Sequence, residues 1–580
     1  MNQQIPPMTV VALVAAALAT VVIGFYGVRL ARTTSDFLVA SRSVGPRWNA
    51  AAISGEYLSA ASFLGVAGLI AKYGADALWY PVGFTAGYLG LLLFVAAPLR
   101  RSGAYTVPDF AEFRLGSTRL RQLAMVVVAM ICVLYMVPQF QGAGLALGIL
   151  LGLPAWVGAV VVAVIVIATV VGGGMRSITF VQAFQYWLKL SAVAVPALVL
   201  AVHFAGTARD LGTPAPPTVG ERTTVDVTTD VVVQVSEPLP VTVTGTLDGR
   251  SVDGPVTMTT GEHELGAGTA LVLDAGAPVP VVAGAPPTGA QWLEPGWGLG
   301  GTHPLYQVYS LIIGIFLGTM GLPHVLVRFY TNPDGRAARR TALVVIGLVG
   351  GFYLFPTLLG VFARLWVPQL LITGTSDAAV LLLPASVVSG VGGQLLAALV
   401  AAGAIAAFLA TSSGLLVSVA GVLSTDVLRG RVRDFRVAAV VAGLVPLGLA
   451  LTVTSIDLSR TVGLVFAVAA STLCPLLVLG IWWRGLTAPG AAAGLIVGGI
   501  SSGAAALATG LGGAPAQVWG GWAEVVVGYP AAVTVPLAFL VMVVVSRATR
   551  DRVPADVGRT FTQMHAPERI GVGRDRESDL

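Results

Sequence analysis

Long apolar stretches separated by short polar segments run through most of this 580-residue chain. A helix needs about 20 apolar residues to cross the hydrocarbon core of a bilayer, and thirteen windows meet this requirement. The pattern therefore predicts an all-α polytopic membrane protein with about thirteen transmembrane helices embedded in the lipid bilayer. The predicted spans, numbered one to thirteen, are 8–28, 48–70, 77–98, 122–148, 153–173, 178–203, 305–328, 340–363, 391–423, 436–455, 460–481, 489–509 and 525–546.

Arginines follow every odd-numbered span, whereas the alternating loops carry almost none. Examples are Arg100 and Arg101 after span three, and Arg328, Arg339 and Arg340 after span seven. Because Lys and Arg are enriched in short cytoplasmic loops, this alternation predicts an N-terminus outside the cell and a C-terminus in the cytoplasm. We expect a multi-pass protein of the cell (plasma) membrane.

One segment between spans six and seven breaks the apolar pattern. Residues 207–303 contain eleven acidic and three basic residues, and residues 223–246 alternate and are rich in β-branched side chains. This pattern predicts a small β-rich insertion outside the cell, dispensable for transport; a partly disordered acidic loop is the alternative. The expected organisation is spans one to six in 1–206, this insertion, spans seven to thirteen in 304–547 and a cytoplasmic tail in 548–580.

Composition agrees with a membrane protein and excludes several function classes. Mean hydropathy is +0.84 and 11% of residues are charged, against roughly 25% in soluble domains. Cys132 and Cys474 both lie in apolar segments, which argues against a disulfide framework or a metal cluster. No nucleotide-binding Gly-x-x-x-x-Gly-Lys-Ser/Thr loop occurs. We expect no ATP, cofactor or nucleic acid as a partner and no enzymatic activity, so that an ion gradient would drive any transport.

Span two carries polar residues where a membrane helix is normally apolar. Residues 52–65 include Glu56, three serines and two glycines. Glycine and serine allow a membrane helix to break and to expose backbone carbonyls, and a carboxylate at this depth is a functional-site hypothesis. Close helix packing through small residues is the alternative. The pattern favours a broken helix with a ligand site.

Span nine contains a second polar stretch, with four hydroxyls and one glycine in residues 411–418. Hydroxyl and carbonyl oxygens are the ligands that a hard monovalent cation needs in a dry site. Hydroxyls bonded back to their own helix are the alternative. Two such stretches in one chain favour a cation site shared between spans two and nine.

Three motifs give a family resemblance. Residues 54–65 (SGEYLSAASFLG), 172–179 (GGGMRSIT) and 321–334 (GLPHVLVRFYTNPD) resemble the sodium:solute symporter family, and most closely its acetate and monocarboxylate branch. The resemblance covers roughly 8–545 without the insertion. It implies the inverted-repeat fold of the leucine-transporter group, with broken helices and with spans two to six and seven to eleven as the repeats.

The resemblance also implies a sodium site between spans two and nine. Its ligands would be the carbonyls of Gly55, Leu58 and Ala407 and the side chains at Ala410 and Thr411. Ala410 has no hydroxyl, where many relatives have serine. Three possibilities stay open: Ser412 compensates, Ser413 compensates, or the coupling ion is a proton.

Two charged residues lie within predicted spans. Acetate-type relatives often have an acid at the position of Glu56, which would carry a proton or attract the cation; the alternative is that it faces water or pairs with a base such as Lys189. Lys189, in span six, would attract an anionic substrate or snorkel to the interface. Glu56, Ser412 and Ser413 are therefore the candidates for cation coupling.

The resemblance places the substrate beside the breaks of spans two and seven, next to span four. Helix N-termini at such breaks attract carboxylates. His324, beside Pro323, is expected to shape the kink of span seven. The candidate substrate-binding residues are Tyr57, Ser59, Ser62, Tyr135, Gln139, Gln141 and Thr319.

The sequence thus predicts a secondary active symporter that imports a small monocarboxylate of the acetate, propionate or pyruvate type. Transport would be coupled to Na⁺ or H⁺ by alternating access. The alternatives are an ion-coupled transporter of an amino acid or sugar, a transporter-like membrane sensor, and a receptor role for the insertion. No particular oligomeric state is predicted.

Overall fold

The computed structural model describes residues 7–28, 40–42, 44–207, 210–227, 229–299, 302–373, 376–428, 432–452, 458–511 and 521–567. Within these ranges the protein is a helical bundle with one β insertion. The α-helices are α1 Pro7–Val28, α2 Pro46–Tyr57, α3 Val66–Tyr73, α4 Trp79–Gly90, α5 Ala96–Arg101, α6 Val107–Leu115, α7 Thr118–Leu151, α8 Ala155–Ala205, α9 Gly289–Leu293, α10 Pro304–Thr319, α11 Pro323–Tyr330, α12 Gly335–Trp366, α13 Ala379–Val387, α14 Gly390–Asp426, α15 Val432–Thr452, α16 Leu458–Ser471, α17 Leu473–Trp482, α18 Ala488–Leu511, α19 Gly521–Gly528, α20 Ala531–Ala548 and α21 Val557–His565.

Eleven helical segments in the described part of the chain are long and apolar enough to cross a membrane. Two of them, Ala61–Arg101 with 41 residues and Ala155–Ala205 with 51, are far longer than one span requires. The second is interrupted at Gly174, whose φ of 56° and ψ of −159° only glycine adopts readily. Counted as two spans each, these segments bring the total to the thirteen that the sequence predicts.

Spans two and seven are broken, as predicted. Span two consists of α2, an unwound stretch at Leu58 and Ser59, a π-helical turn over Ala61–Gly65, and α3. Span seven consists of α10, a break over residues 320–322, and α11. Proline at the first position of α11 suits a helix start because its missing N–H has no partner there in any case. Each break leaves backbone groups free to meet other partners.

The insertion folds as a seven-stranded antiparallel sheet, which confirms the β-rich interpretation. The strand order is β1-β6-β3-β5-β2-β7, with β4 paired to β3. Alternate valines such as Val233, Val241 and Val243 are buried, as the period of two in the sequence requires. The strands are β1 Thr223–Val227, β2 Val231–Val235, β3 Leu239–Leu247, β4 Arg250–Met258, β5 Gly261–Leu265, β6 Thr269–Leu273 and β7 Val281–Val282.

The segment after the sheet docks on the helical bundle. The indole Nε1 of Trp292 donates a 2.7 Å hydrogen bond to the carbonyl of Ile70 at the end of span two. The carboxylate of Asp76 accepts hydrogen bonds from the backbone amides of Gly296 and Gly298. Arg364, in α12, donates to carbonyls on both sides of this junction. Residues 283–299 thus join the sheet to the ends of spans two, three and eight.

Candidate substrate and cation site

The break of span two presents two carbonyl oxygens to a buried lysine. Nζ of Lys189, in the second half of α8, donates to the carbonyl of Leu58 at 2.6 Å and to that of Gly55. Lys189 has no exposed surface, so it does not snorkel to an interface. The two carbonyls predicted to bind sodium therefore bind an ammonium group.

The other predicted cation ligands lie on α14, which contacts the end of α2 at Glu56. The Thr411 hydroxyl donates to the carbonyl of Glu56 at 2.6 Å. The Ala410 carbonyl accepts from Nε2 of Gln182 at 2.9 Å and from the hydroxyl of Ser413 at 3.0 Å. Ala407 and Ser412 are buried in the same helix, α14, and the Ser412 hydroxyl has no hydrogen-bond partner within the described ranges.

These residues do not fit a sodium ion while Lys189 is in place. An ion bound to the carbonyls of Gly55 and Leu58 would lie next to the ammonium that already uses them. At a separation of about 3 Å and an effective dielectric constant of about 20, two such charges repel by roughly 5 kcal/mol. Ala410 also contributes no side-chain oxygen.

Glu56 forms a buried ion pair, with Arg328 rather than with Lys189. Nε of Arg328 lies 2.7 Å from Oε2 of Glu56. Arg328 also donates to the hydroxyl of Thr179 at 2.7 Å and to Oε1 of Gln182. The prediction that Arg328 belongs to the basic loop after span seven is wrong, since its side chain has no exposed surface. Its neighbours in span six, Thr179 and Gln182, satisfy its donors inside the protein.

The position of the Glu56 carboxylate explains why residue 414 in span nine is a glycine. A side chain at Gly414 would collide with the carboxylate of Glu56, so α2 and α14 approach closely only because position 414 lacks a Cβ. Sequence reasoning identified Glu56 but missed Gln182 and Arg328. The signal for Arg328 was present, because this arginine lies inside the third family motif rather than after it.

Aromatic side chains from five spans surround the two breaks. The rings of Tyr57 and Tyr88 have centroids 4.7 Å apart, and Phe84 lies 5.2 Å from Phe466. Tyr135, from span four, has its ring 5.4 Å from that of His324, at the start of α11. The predicted residues Tyr57 and Tyr135 therefore meet at the breaks of spans two and seven, with Phe84, Tyr88 and Phe466 as members that the sequence did not mark.

Several buried polar atoms at this place have no hydrogen-bond partner in the described part of the protein. They are the hydroxyls of Ser59 and Tyr88, Nε2 of Gln139 and both ring nitrogens of His324. Gln139 is anchored through its other atom, because Oε1 accepts from the amide of Ala60 at 3.3 Å. Unsatisfied buried polar groups are costly, and in native proteins they call for a partner such as a ligand or a water molecule.

The remaining predicted pocket residues have paired polar atoms or lie on another helix face. The Tyr57 hydroxyl donates to the carbonyl of Phe84 and is paired with Thr319 at 2.9 Å, and Ser62 is paired with the hydroxyl of Tyr353 at 2.7 Å. Gln141 is half-buried and lies about 200° around α7 from Gln139, at 100° per residue. Tyr57, Ser62 and Thr319 therefore hold the walls of the site, and Gln141 is on a different helix face.

Comparison with known proteins identifies the family. The model of the sodium:solute symporter family matches residues 37–235 and 282–498, so that the match omits most of the sheet. An uncharacterised symporter of Bacillus subtilis, YwcA, is 30% identical over 494 residues, which cover 83% of this chain and 82% of YwcA. A monocarboxylic acid transporter of Corynebacterium glutamicum is 31% identical over 496 residues, covering 82% of this chain and 79% of that protein.

Solved structures show the same fold. A Na⁺-coupled sialic acid symporter in a substrate-bound outward-open state superposes with a TM-score of 0.62 at 13% identity, over 93% of this chain and 97% of that one. The inverted-repeat fold with broken helices, expected from the motifs, is confirmed, and the relatives are transporters rather than enzymes. From the family match over most of its length, together with the broken spans two and seven that meet around one buried site, we conclude that this chain belongs to the sodium:solute symporter family.

Proposed function

We propose that this protein is a secondary active symporter that imports a small monocarboxylate across the plasma membrane. One observation carries the proposal: the free Nε2 of Gln139 and the free hydroxyl of Ser59 lie beside the breaks of spans two and seven, among aromatic rings. An amide nitrogen only donates, and a carboxylate only accepts. The rings would contact the short apolar part of an acetate, propionate or pyruvate molecule.

The charges near the site also favour an anion. Glu56 and Arg328 neutralise each other, whereas Lys189 is bound by carbonyls alone. The half-helix α11 starts at the break, so its N-terminus offers partial positive charge as well. An amino acid would need acceptors for its ammonium group, and a sugar would need several paired donors and acceptors. The name of the Corynebacterium relative supports the same substrate class.

Alternating access follows from the burial of this site. The free polar atoms of Ser59, Tyr88, Gln139 and His324 are shielded from solvent. A substrate therefore reaches them only after the spans move apart, on one side of the membrane or the other. Exposed arginines near the start of α12, such as Arg339 and Arg340, support a topology with the N-terminus and residues 207–303 outside and the C-terminus in the cytoplasm.

Uptake into proteoliposomes tests this proposal. Labelled acetate, propionate, pyruvate, proline and glucose would be offered in turn, with sodium and proton gradients imposed separately. We expect saturable uptake of a monocarboxylate, inhibited by unlabelled monocarboxylates, and exchange of internal for external substrate. Transport of proline or glucose without monocarboxylate transport would contradict the substrate assignment.

A further inference from the structure

We propose that the ammonium group of Lys189 permanently replaces the sodium ion between spans two and nine, so that this member of the family transports without Na⁺. The inference rests on the proposed function only in taking the protein to be an ion-coupled transporter. The family resemblance places a sodium ion at this site, whereas in the structure the carbonyls of Gly55 and Leu58 bind Lys189.

Nζ of Lys189 lies at the break of span two. It donates to the carbonyls of Gly55 and Leu58. These two oxygens belong to residues that are 134 and 131 positions away in the sequence, so the contact is made by the packing of α8 against α2. A cation bound at the break would use the same two oxygens.

Lys189 has unusual partners. A buried lysine normally contacts a carboxylate, yet the carboxylate of Glu56, beside Gly55, is paired with Arg328. Lys189 instead binds neutral carbonyl oxygens, as a metal ion in a site without net negative charge would. In its ammonium form this side chain supplies one positive charge at a fixed place, as a bound sodium ion would.

The site also lacks one ligand on the side of span nine. Ala410 has no hydroxyl, and its carbonyl accepts hydrogen bonds from Gln182 and Ser413. A site that binds no ion needs no oxygen at position 410, so the alanine and the lysine have the same explanation.

The first experiment uses the unchanged protein. We expect purified full-length protein to show no saturable binding of ²²Na⁺. Its uptake of monocarboxylate should change by less than about two-fold, under 0.5 kcal/mol, when choline replaces Na⁺ at constant pH. Saturable ²²Na⁺ binding, or loss of uptake in choline, would overturn the inference. If no solute is transported under any gradient, the proposed function fails, while ²²Na⁺ binding still decides the role of Lys189.

The second experiment removes the tethered charge. Lys189→Ala, and Lys189→Met as a variant that keeps most of the side-chain volume, free the carbonyls of Gly55 and Leu58. We expect each to acquire ²²Na⁺ binding, and the double variant Lys189→Ala/Ala410→Ser to bind at least about ten-fold more tightly than Lys189→Ala, as one added ligand to a charged group typically allows. The control is Lys72→Met, which removes the other lysine of the chain and should not create Na⁺ binding. Folded Lys189 variants that bind no Na⁺ would contradict the inference.

Discussion

Nε of Arg328 lies 2.7 Å from Oε2 of Glu56, and the exposed fractions of the two side chains are 0% and 1%. The pair joins α2, the first half of span two, to α11, the second half of span seven. Spans two and seven are the first helices of the two repeats, so this ion pair connects one repeat to the other. A movement of one repeat against the other must either carry the pair along or break it.

We predict that removing one member of this pair destabilises the protein more than removing both. Glu56→Gln leaves a buried guanidinium without its counter-charge, which typically costs about 3–5 kcal/mol. Glu56→Met with Arg328→Met replaces the pair by apolar groups, which is often close to neutral. The melting temperature of a fluorescent fusion protein in detergent measures both. A Glu56→Gln protein as stable as the unchanged protein would show that the pair has no such role.

We predict that substituting a pocket residue weakens substrate binding when its polar atom is unpaired in the structure, and does not when that atom is already paired. Gln139→Leu and Ser59→Ala remove free groups of the proposed site and should raise KM for monocarboxylate. The loss of one hydrogen bond to a charged substrate costs about 1.5–3 kcal/mol, or on the order of ten- to a hundred-fold. Ser62→Ala is the matched control, because its hydroxyl is already paired with Tyr353. Equal effects of Ser59→Ala and Ser62→Ala on KM would argue against the site.

We predict that the sheet of the insertion is dispensable but its docking segment is not. Thr218 and Pro278 are paired in an isolated antiparallel bridge, so residues 219–277 can be replaced by a short glycine linker without moving the ends. This deletion should retain uptake. Trp292→Ala should reduce the yield of folded protein, since truncating a buried aromatic side chain typically costs about 3–5 kcal/mol. Loss of uptake in a folded deletion variant would assign the sheet a part in transport.

We predict that the insertion and the C-terminal helix lie on opposite sides of the membrane. Ser251→Cys, in β4, and Thr562→Cys, in α21, place single thiols at exposed positions. The two native cysteines are buried and give little background. An impermeant maleimide should label Ser251→Cys in intact cells, and Thr562→Cys only after permeabilisation. The reverse pattern would invert the whole topology.

We predict that residues 248–265, which contain β4 and β5, are most stable in mildly acidic solution. Nδ1 of His263 lies 2.8 Å from Oδ2 of Asp248, and its Nε2 lies 2.9 Å from the carbonyl of Thr259. Partial burial opposes protonation of His263, but these acceptors outweigh it and raise its pKa above 6.5. Slight burial opposes ionisation of Asp248, but the hydrogen bonds from His263 and the Glu264 amide lower its pKa below 3.8.

The sign of the pH dependence follows from these shifts. The contribution of His263 is complete below pH 6.5 and is lost as pH rises through its raised pKa. The contribution of Asp248 is complete above pH 3.8 and is lost as pH falls through its lowered pKa. Amide exchange of residues 248–265, corrected for intrinsic rates, should be slowest between these values. His263→Gln should remove the increase on the alkaline side, and persistence of that increase would contradict the assignment.

The architecture could be predicted from the sequence because it depends on local patterns. Apolar windows separated by arginine-rich loops predict the spans, since every membrane helix must satisfy its own backbone. The serines and glycines near Leu58 predict the break of span two, the family resemblance implies that of span seven, and alternating valines predict the sheet. The three motifs identify the family for the same reason, because each is a short continuous stretch.

The pairing of the buried charges was decided only by the tertiary structure. From the sequence, Lys189 pairs with Glu56, attracts the substrate or snorkels, and Arg328 is a loop residue; in the structure Lys189 binds Gly55 and Leu58, and Arg328 binds Glu56. A long side chain reaches several neighbouring helices, and which one it meets depends on how spans more than 100 residues apart pack together. The hydropathy of one span carries no information about that choice, because it describes the helix and not the partner.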